Sequence, residues 1–342
     1  MKSRDSINVY TKWQKTAAKD YSYYFHEALE RISFIETNFY KSLAEIEVID
    51  RSILLVNWPE EILAWSIGKS NAQEAIHNLR KLKKDGLRIL YVWHNTEALH
   101  DSEGKRLLYN WFKNNSNFIL CLNSRTLKHC TDNGIKSAIS LAPFMCNDYP
   151  SVGAEGLLVY GRLRHRSEFL RLLLAAWTAH LHRREVFVGS LPTDNARVQF
   201  TRLLINLLPN APNIHLHTGL LEGDVESYFW EKSKTVIAFR DTKHENSGIL
   251  INALSEKRRI IIGNCGSAHD YEHLKVVTSY KTIFGLMRAI RKDSKTAYDS
   301  ADFERPDYIH IKAQSSTLKF KEALENGLAQ VLSNSVKKMS IK

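Results

Sequence analysis

The stretch from residue 236 to residue 267 constrains the fold more than any other part of the sequence. It begins with an apolar run at 236–239 and closes with a second one at 260–262, and both have the length and the branched residues of buried strands. A polar loop (241–247) and an apolar segment with helical spacing (249–254) lie between them. This order predicts a βαβ crossover, in which both strands run parallel in one sheet.

The loop in front of the predicted helix is a candidate phosphate site. Ser247 can serve as the N-cap of the helix, and Gly248 lets a ligand approach the backbone closely. The backbone N–H groups at the positive end of a helix dipole favour anions. The same pattern also occurs in an ordinary loop that only caps a helix, so the residues leave both interpretations open.

Strand and helix patterns alternate along most of the chain. Apolar runs typical of buried strands occur at 51–58, 88–93, 118–122, 137–141, 157–160 and 185–189, and helical patterns separate many of them. Such alternation predicts an α/β protein whose sheets are mainly parallel and covered by helices on both faces.

The length of 342 residues suits two domains of this kind. A turn-rich stretch at 147–156 is the predicted linker. We therefore expect an N-terminal α/β domain over 1–150 and a second one over 151–315. The helical pattern at 316–342 predicts a terminal helix, which could pack back on the N-terminal domain.

Polar side chains follow two consecutive strands of the first predicted domain. They are Trp58 and Glu60 after the first strand, and His94, Asn95, Glu97, His100 and Asp101 after the second. The carboxyl ends of parallel strands face the ligand crevice in open α/β sheets. One histidine at such a position is often structural, whereas two polar clusters after consecutive strands favour a ligand site.

A glycine turn follows the first strand of the second predicted domain. Gly161 is followed by Arg162, Arg164 and Arg166 at alternate positions. Guanidinium groups match phosphate oxygens in a bidentate fork, so these arginines could hold a diphosphate. A solvated basic loop is the alternative.

The formal net charge of +11 indicates an anionic partner: nucleic acid, an anionic membrane surface or a phosphate-bearing substrate. No nucleic-acid-binding motif is present. The first residues lack the apolar segment of a signal peptide, and no apolar run has the length of a membrane span. The four cysteines show no metal-binding spacing, which is typical of reduced thiols in a cytoplasmic protein.

The order of these features resembles the GT-B glycosyltransferases, particularly the bacterial exopolysaccharide and lipopolysaccharide enzymes near glycosyltransferase family 4. The segments that carry the resemblance are VNWPE (56–60), HN (94–95) with HD (100–101), YGRLR (160–164), VFVG (186–189), NSG (246–248) and ALS (253–255). The resemblance implies two Rossmann-like domains facing across a cleft, with a nucleotide-sugar held mainly by the second one.

The resemblance also implies roles for individual residues. On the donor side it assigns the diphosphate to the Gly161, Arg162 and Arg164 turn and to Asn246, Ser247 and Gly248. Glu245, a candidate catalytic residue, matches the first acid of the family's paired-glutamate motif, whereas Asn252, a candidate donor contact, is nearest to the second. On the acceptor side His94, Glu97 and Asp101 are candidate catalytic residues, and Trp58, Glu60, Asn95 and His100 are candidate contacts. A carboxylate would be the general base in an inverting enzyme; in a retaining enzyme His94 would contact the sugar or the acceptor.

The function expected from the resemblance is that of a hexosyltransferase of the EC 2.4 class. It would move a sugar from a nucleotide-diphosphate sugar to a cell-envelope glycan or lipid-linked oligosaccharide, as in polysaccharide or lipopolysaccharide biosynthesis. No metal and no cofactor beyond the nucleotide-sugar substrate is expected. The expected location is cytoplasmic. The basic, aromatic N-terminal segment could contact the inner face of the plasma membrane, or it could form a surface helix with a packed aromatic face. The alternatives are a non-catalytic nucleotide- or sugar-binding protein on the same scaffold, and a basic nucleic-acid-binding protein.

Overall fold

The computed structural model describes residues 6–12, 21–63, 69–94, 102–143, 149–150, 154–161, 163, 166–191, 199, 214–219, 221, 223–240, 247–296, 300–303, 311, 313 and 316–333. The chain divides into two compact units. The first takes in the described residues of Met1–Met145 and Ala313–Lys342, and the second those of Cys146–Thr242 and Ser247–Lys312.

The first unit is built on a parallel sheet of six strands. These are β1 (Ile7–Thr11), β2 (Ile35–Phe39), β3 (Ser52–Val56), β4 (Arg88–Trp93), β5 (Phe118–Cys121) and β6 (Ser137–Ile139). Their order across the sheet is β2-β1-β3-β4-β5-β6. Its helices include α1 (Tyr21–Glu30), α2 (Lys69–Lys84), α3 (Glu103–Asn115) and α4 (Ser124–Asp132).

Strand β3 explains why this sheet is covered on both faces. Ile53 and Leu55 belong to one apolar cluster, whereas Leu54 and Val56 belong to the cluster on the other face. Because successive side chains of a strand point to opposite faces, a strand with apolar residues on both faces needs a layer on each side. All five β3 residues are buried.

The second unit repeats this architecture. Its strands are β7 (Gly156–Val159), β8 (Val186–Leu191), β9 (Ile214–Thr218), β10 (Ser233–Ala238), β11 (Arg259–Gly263) and β12 (Val277–Tyr280). They form a parallel sheet in the order β12-β11-β10-β7-β8-β9. Its helices include α5 (Arg166–Leu181), α6 (Gly223–Lys232), α7 (Gly248–Ser255), α8 (Gly266–Tyr271) and α9 (Ile283–Ser294).

The last helix, α10 (Thr317–Ser333), belongs to the first unit. Its apolar stripe is Phe320, Leu324, Leu328 and Val331, and it packs in the same cluster as side chains of α1, β4 and β5. The helix lies close to the sheet at Gly327, where a Cβ would stand 3.2 Å from Leu90 Cδ1.

A buried ionic network holds the amino-terminal edge of the second sheet. The carboxylate of Asp293 on α9 accepts a 2.6 Å hydrogen bond from Arg184 and another of 2.6 Å from Thr235 on β10. Its other oxygen lies 2.8 Å from Nε of Arg259 on β11. One side chain therefore ties the end of α9 to two neighbouring strands.

Within the described part of the chain, no helix has both the length and the apolar character needed to cross a membrane.

Candidate functional site

Two side chains predicted for the site meet at the carboxyl-terminal ends of β3 and β4. These strands are parallel neighbours, with Val56 opposite Tyr91, so the residues that follow them come to the same edge of the sheet. Trp58 stacks on His94, with ring centroids 4.7 Å apart and planes at 28°. The prediction that the two segments lie together at one rim therefore matches the observed contact.

Asn57 and Tyr21 complete this cluster, although neither was predicted as a site residue. Nε2 of His94 lies 3.2 Å from Oδ1 of Asn57, and the Tyr21 hydroxyl donates to the same oxygen over 3.3 Å. The Tyr21 ring meets the His94 ring edge-on, with centroids 4.8 Å apart. Tyr21 reaches the site from α1, which the spacing of polar residues after strands cannot reveal.

The burial of His94 decides its charge. Loss of hydration lowers the pKa of His94 to about 3, so the imidazole is neutral at physiological pH. An amide oxygen only accepts hydrogen bonds, so Nε2 carries the proton and Nδ1 carries the lone pair. Nδ2 of Asn57 is buried and has no hydrogen-bond partner among the described residues. The cluster thus offers neutral polar groups on an aromatic floor.

Glu60 and Glu61 lie in the 3₁₀ turn Pro59–Leu63 that follows β3, and both are buried. Burial raises the pKa of Tyr109 of α3, and the charge of Glu60 adds to this shift. Glu61 adds to the effect of burial in raising the pKa of Tyr21. Burial lowers the pKa of Lys12, and the charge of Glu61 opposes that shift. Of the two carboxylates, Glu61 is thus the one that acts on the aromatic cluster.

Other predicted site residues fall outside the described part of the chain. They are Asn95, Glu97, His100 and Asp101 of the acceptor side, and Arg162, Arg164, Glu245 and Asn246 of the donor side.

In the second unit, Gly161 and the start of α7 lie side by side. Gly161 follows β7 with φ of +97°, and a Cβ there would stand 2.5 Å from Cδ1 of Ile249 in the first turn of α7. Ser247 is the N-cap residue of this helix, but its hydroxyl makes no capping hydrogen bond; its backbone N–H donates to Ser267 Oγ over 3.1 Å. Oγ of Ser247 is buried and unpartnered among the described residues. The glycine turn and the helix start thus form one polar edge.

Arg240 is the cationic side chain that the structure adds to this edge. It follows β10, and its guanidinium lies 3.7 Å from the position of a Cβ on Gly161. Its ion pair with the buried Glu168 spans 3.6 Å. Gly263, at the end of β11, is required here because a Cβ would stand 1.3 Å from the Arg240 carbonyl oxygen. Arg240 is the first polar residue after the predicted strand, so the rule applied to Trp58 and His94 would have identified it.

Asn252 lies one turn into α7 and is half-buried. Its backbone carbonyl accepts from Glu256 N–H at the end of the helix. Among the described residues, no group of three or more histidine, cysteine, aspartate or glutamate side chains is arranged to hold a metal ion.

No protein-family model matches the chain, and no curated protein sequence matches it either. Solved structures, in contrast, match over its whole length. Anabaena Alr3699/HepE in complex with UDP-glucose superposes with a TM-score of 0.64 at 10% identity, over 96% of this chain and 99% of that one. Sucrose-phosphate synthase from Thermosynechococcus elongatus superposes with a TM-score of 0.62 at 10% identity, over 99% of this chain and 100% of that one. TarM superposes with a TM-score of 0.58 at 13% identity, over 91% of this chain and 58% of that one.

This chain spans little more than half of some of these proteins, 58% of TarM and 57% of the matching chain in the GtfA/B complex. It covers the full length of others. At such low identity the likeness concerns the fold. By its architecture, two Rossmann-like units that each contain a six-stranded parallel sheet, the chain has the GT-B fold of glycosyltransferases.

Proposed function

We propose that this protein is a glycosyltransferase that takes a sugar from a UDP-sugar and transfers it to a hydroxyl group of an acceptor. The observation that carries the proposal is the end-to-end agreement in fold with HepE, whose structure holds UDP-glucose. Fold alone does not determine chemistry. The polar edges of both units support the proposal because their groups suit the two substrates.

The second unit supplies the groups that a nucleoside diphosphate needs. When the bond between the sugar C1 and the phosphate oxygen breaks, its electron pair stays on the diphosphate, so negative charge grows there. The first N–H groups of α7 and the guanidinium of Arg240 provide fixed positive potential at one edge. Gly248 lets phosphate oxygens come close to the backbone, and Gly161 lets its turn lie against Ile249 at the helix start. The arginines at 162 and 164 would add charge to the same turn.

The first unit supplies a surface that suits a sugar or an acceptor. The stacked Trp58 and His94 rings offer an aromatic face, and the Asn57 amide offers a donor. A base with a pKa of about 3 removes a proton from a hydroxyl poorly at neutral pH. We therefore assign His94 a hydrogen-bonding role. If the reaction inverts the anomeric centre, the proton of the attacking hydroxyl goes to a carboxylate, for which Glu97 and Asp101 are the candidates.

The finer features of the proposal concern the acceptor and the conditions. The acceptor proposed is a cell-envelope glycan or a lipid-linked oligosaccharide, and the sugar transferred is a hexose. The reaction is proposed to need no metal, because the cationic side chains and the helix terminus neutralise the leaving group. The proposed location is the cytoplasm, where nucleotide-sugars are made.

Calorimetric titration with UDP-glucose, UDP and GDP, with and without EDTA, tests the donor. We expect UDP to bind in the presence of EDTA. Arg240→Gln should weaken UDP binding by roughly tenfold, because a hydrogen bond to a charged group is lost. Arg240→Lys should recover part of the affinity. Arg288→Gln removes an exposed arginine of α9 and should change nothing. Equal affinities in all four proteins would refute the donor assignment.

Release of UDP from UDP-sugars, measured with and without candidate glycan acceptors, tests the reaction. Glu245→Gln should abolish turnover while the melting temperature stays unchanged. Tight UDP binding without any turnover would favour the non-catalytic alternative instead.

A further inference from the structure

A concave groove lies between α2 and α3 on the first unit, away from the strand ends described above. Its volume is about 410 Å³, within the range of small-ligand sites. From α2 it is lined by His77, Arg80, Lys81, Lys83 and Lys84. From α3 it is lined by Trp111 and Asn115. Apart from Trp111 and Asn115, every lining side chain is a base, and the lining contains no carboxylate.

The helical spacing explains how α2 presents these bases together. His77, Arg80, Lys81 and Lys84 follow one another at intervals of three, one and three residues, so they share one face of the helix. All four are exposed. In the described part of the chain, none of them forms an ion pair or a side-chain hydrogen bond. Among the residues that the structure describes, no ion pair neutralises the positive charge of this face.

Lys83 is held toward α3 in a different way. Its ammonium group donates a hydrogen bond to the backbone carbonyl of Asn115, at the end of α3. The side chain is half-buried, and burial lowers its pKa. Among the described residues, the only hydrogen-bond partner of this ammonium group is a neutral carbonyl oxygen, so an anion in the groove would lower the cost of its burial.

The dipole of α2 accounts for only part of this pattern. Basic residues in the last turn stabilise the negative end of a helix, and Lys81, Lys83 and Lys84 occupy that turn. Arg80 and His77 lie further back, where this effect has faded. The dipole also explains neither the concave shape of the groove nor the buried indole of Trp111 beneath the basic side chains.

The shape of the groove favours a small ligand over a membrane surface. A helix that binds a bilayer inserts exposed apolar side chains between the lipids. Among the described residues of α2 and α3, no large apolar side chain is exposed, and Trp111 is buried. A long nucleic acid would need a basic stripe beyond this one groove.

We propose that the groove between α2 and α3 binds a small, multiply phosphorylated ligand, with Arg80, Lys81 and Lys84 contacting phosphate oxygens and Trp111 forming the floor. This site lies on the first unit and does not depend on the proposed donor site. Phosphate is the expected chemistry because several clustered cations, which form no ion pair with a carboxylate in the described ranges, match an anion that carries more than one charge.

Calorimetric titration with inorganic tripolyphosphate, on protein already saturated with UDP, tests the proposal. The double variant Arg80→Gln/Lys84→Gln should bind tripolyphosphate at least about tenfold more weakly than the wild type, because two charge-assisted contacts are lost. Both side chains are exposed, so the variant should fold normally. The matched control is Arg291→Gln/Lys292→Gln, which removes two exposed bases from the last turn of α9. The control should stay within about twofold of the wild type.

Three results would overturn the proposal. One is absence of tripolyphosphate binding, and another is equal weakening in both double variants, which would indicate a general effect of net charge. The third comes from parallel titrations with phosphatidylglycerol vesicles and single-stranded DNA. If the groove variant loses affinity for either of these and not for tripolyphosphate, the groove serves a membrane or a nucleic acid instead.

Discussion

Replacing Asp293 by asparagine tests whether the ionic network at the amino-terminal edge of the second sheet stabilises this unit. Asparagine keeps the shape of the side chain and removes its charge. In the native protein its carboxylate oxygens lie 2.6 Å from the guanidinium of Arg184 and 2.8 Å from that of Arg259, and the carboxylate accepts a hydrogen bond from the hydroxyl of Thr235. The side chains of Asp293 and Arg184 are only 6% and 5% exposed. Water therefore cannot replace the lost charge.

The size of the effect follows from what each arginine retains. Breaking a buried ion pair by removing one partner costs about 3–5 kcal/mol. Arg184 keeps hydrogen bonds to the backbone carbonyls of Glu155 and Gly156, and Arg259 is 11% exposed. These remaining contacts place the expected loss near the lower end, about 3 kcal/mol. At 1.36 kcal/mol per factor of ten, the opening equilibrium of this region should rise by roughly a hundredfold.

Hydrogen exchange followed by mass spectrometry measures this opening directly. Peptides that cover β10 and β11 should exchange roughly a hundredfold faster in Asp293→Asn than in the wild type. The control is Glu272→Gln, which removes an equal charge in the same unit from a carboxylate that is 41% exposed and accepts from Ser279. Its effect should not exceed about fivefold. If Asp293→Asn stays within the range of the control, the argument from buried charge is wrong.

Three further predictions concern strain, protonation and thiol chemistry. Gly263→Ala places a Cβ on the Arg240 carbonyl and should lower the free energy of unfolding, measured in urea, by about 3 kcal/mol or more. In the control Gly285→Ala the new Cβ meets only contacts of 3.4 Å or longer, so the stability should not fall. Equal losses in both variants would contradict the reasoning. The wild type should lose about 2 kcal/mol of stability through His94 between pH 8 and pH 5, because the unfolded imidazole binds a proton that the folded one, with a pKa of about 3, does not. The contribution of His94 to stability is present above the pKa of the unfolded imidazole and is lost as the pH falls toward the pKa of the folded one. Unfolding curves of His94→Gln should therefore lack this part of the pH dependence. The Cys121 thiol is fully buried, and its hydrogen bond with Cys130 and its burial raise its pKa. Iodoacetamide should therefore not modify Cys121 in the native protein but should modify it in the urea-unfolded protein. Modification of Cys121 in the native state, seen by mass spectrometry, would contradict this prediction.

The alternation of strands and helices was predictable because it depends on local periodicity. Strand β3 is apolar at every position from Ile53 to Val56, and this local pattern can be recognised without knowing how the rest of the chain folds. Strand β2 (Ile35–Phe39) was not predicted. Its residues are half-buried or exposed, it lies at the edge of the sheet and it pairs with β1 only. An edge strand with polar residues has no periodic signal that separates it from a loop.

In the candidate site, too, contacts that follow from local pattern were predictable, whereas contacts between distant segments were not. The approach of Trp58 to His94 was predictable because parallel neighbouring strands end at one edge. The Tyr21 contact was not, because it requires α1 to lie over that edge, and Tyr21 is 36 residues away from Asn57 in the chain. Arg240 was not predicted, although it is the first polar residue after β10 and the rule for polar residues after parallel strands covers it.

The sequence by itself determined the class of fold, the strand ends at which polar groups collect and the glycine turns next to them. These features follow from residue type and from spacing over a few positions. Only the tertiary structure decided the charge state of His94, the partners of Asp293 and the concave shape of the basic groove. Each of these depends on which side chains exclude water or supply a counter-charge. Those side chains come from distant segments, which only packing of the folded units brings together.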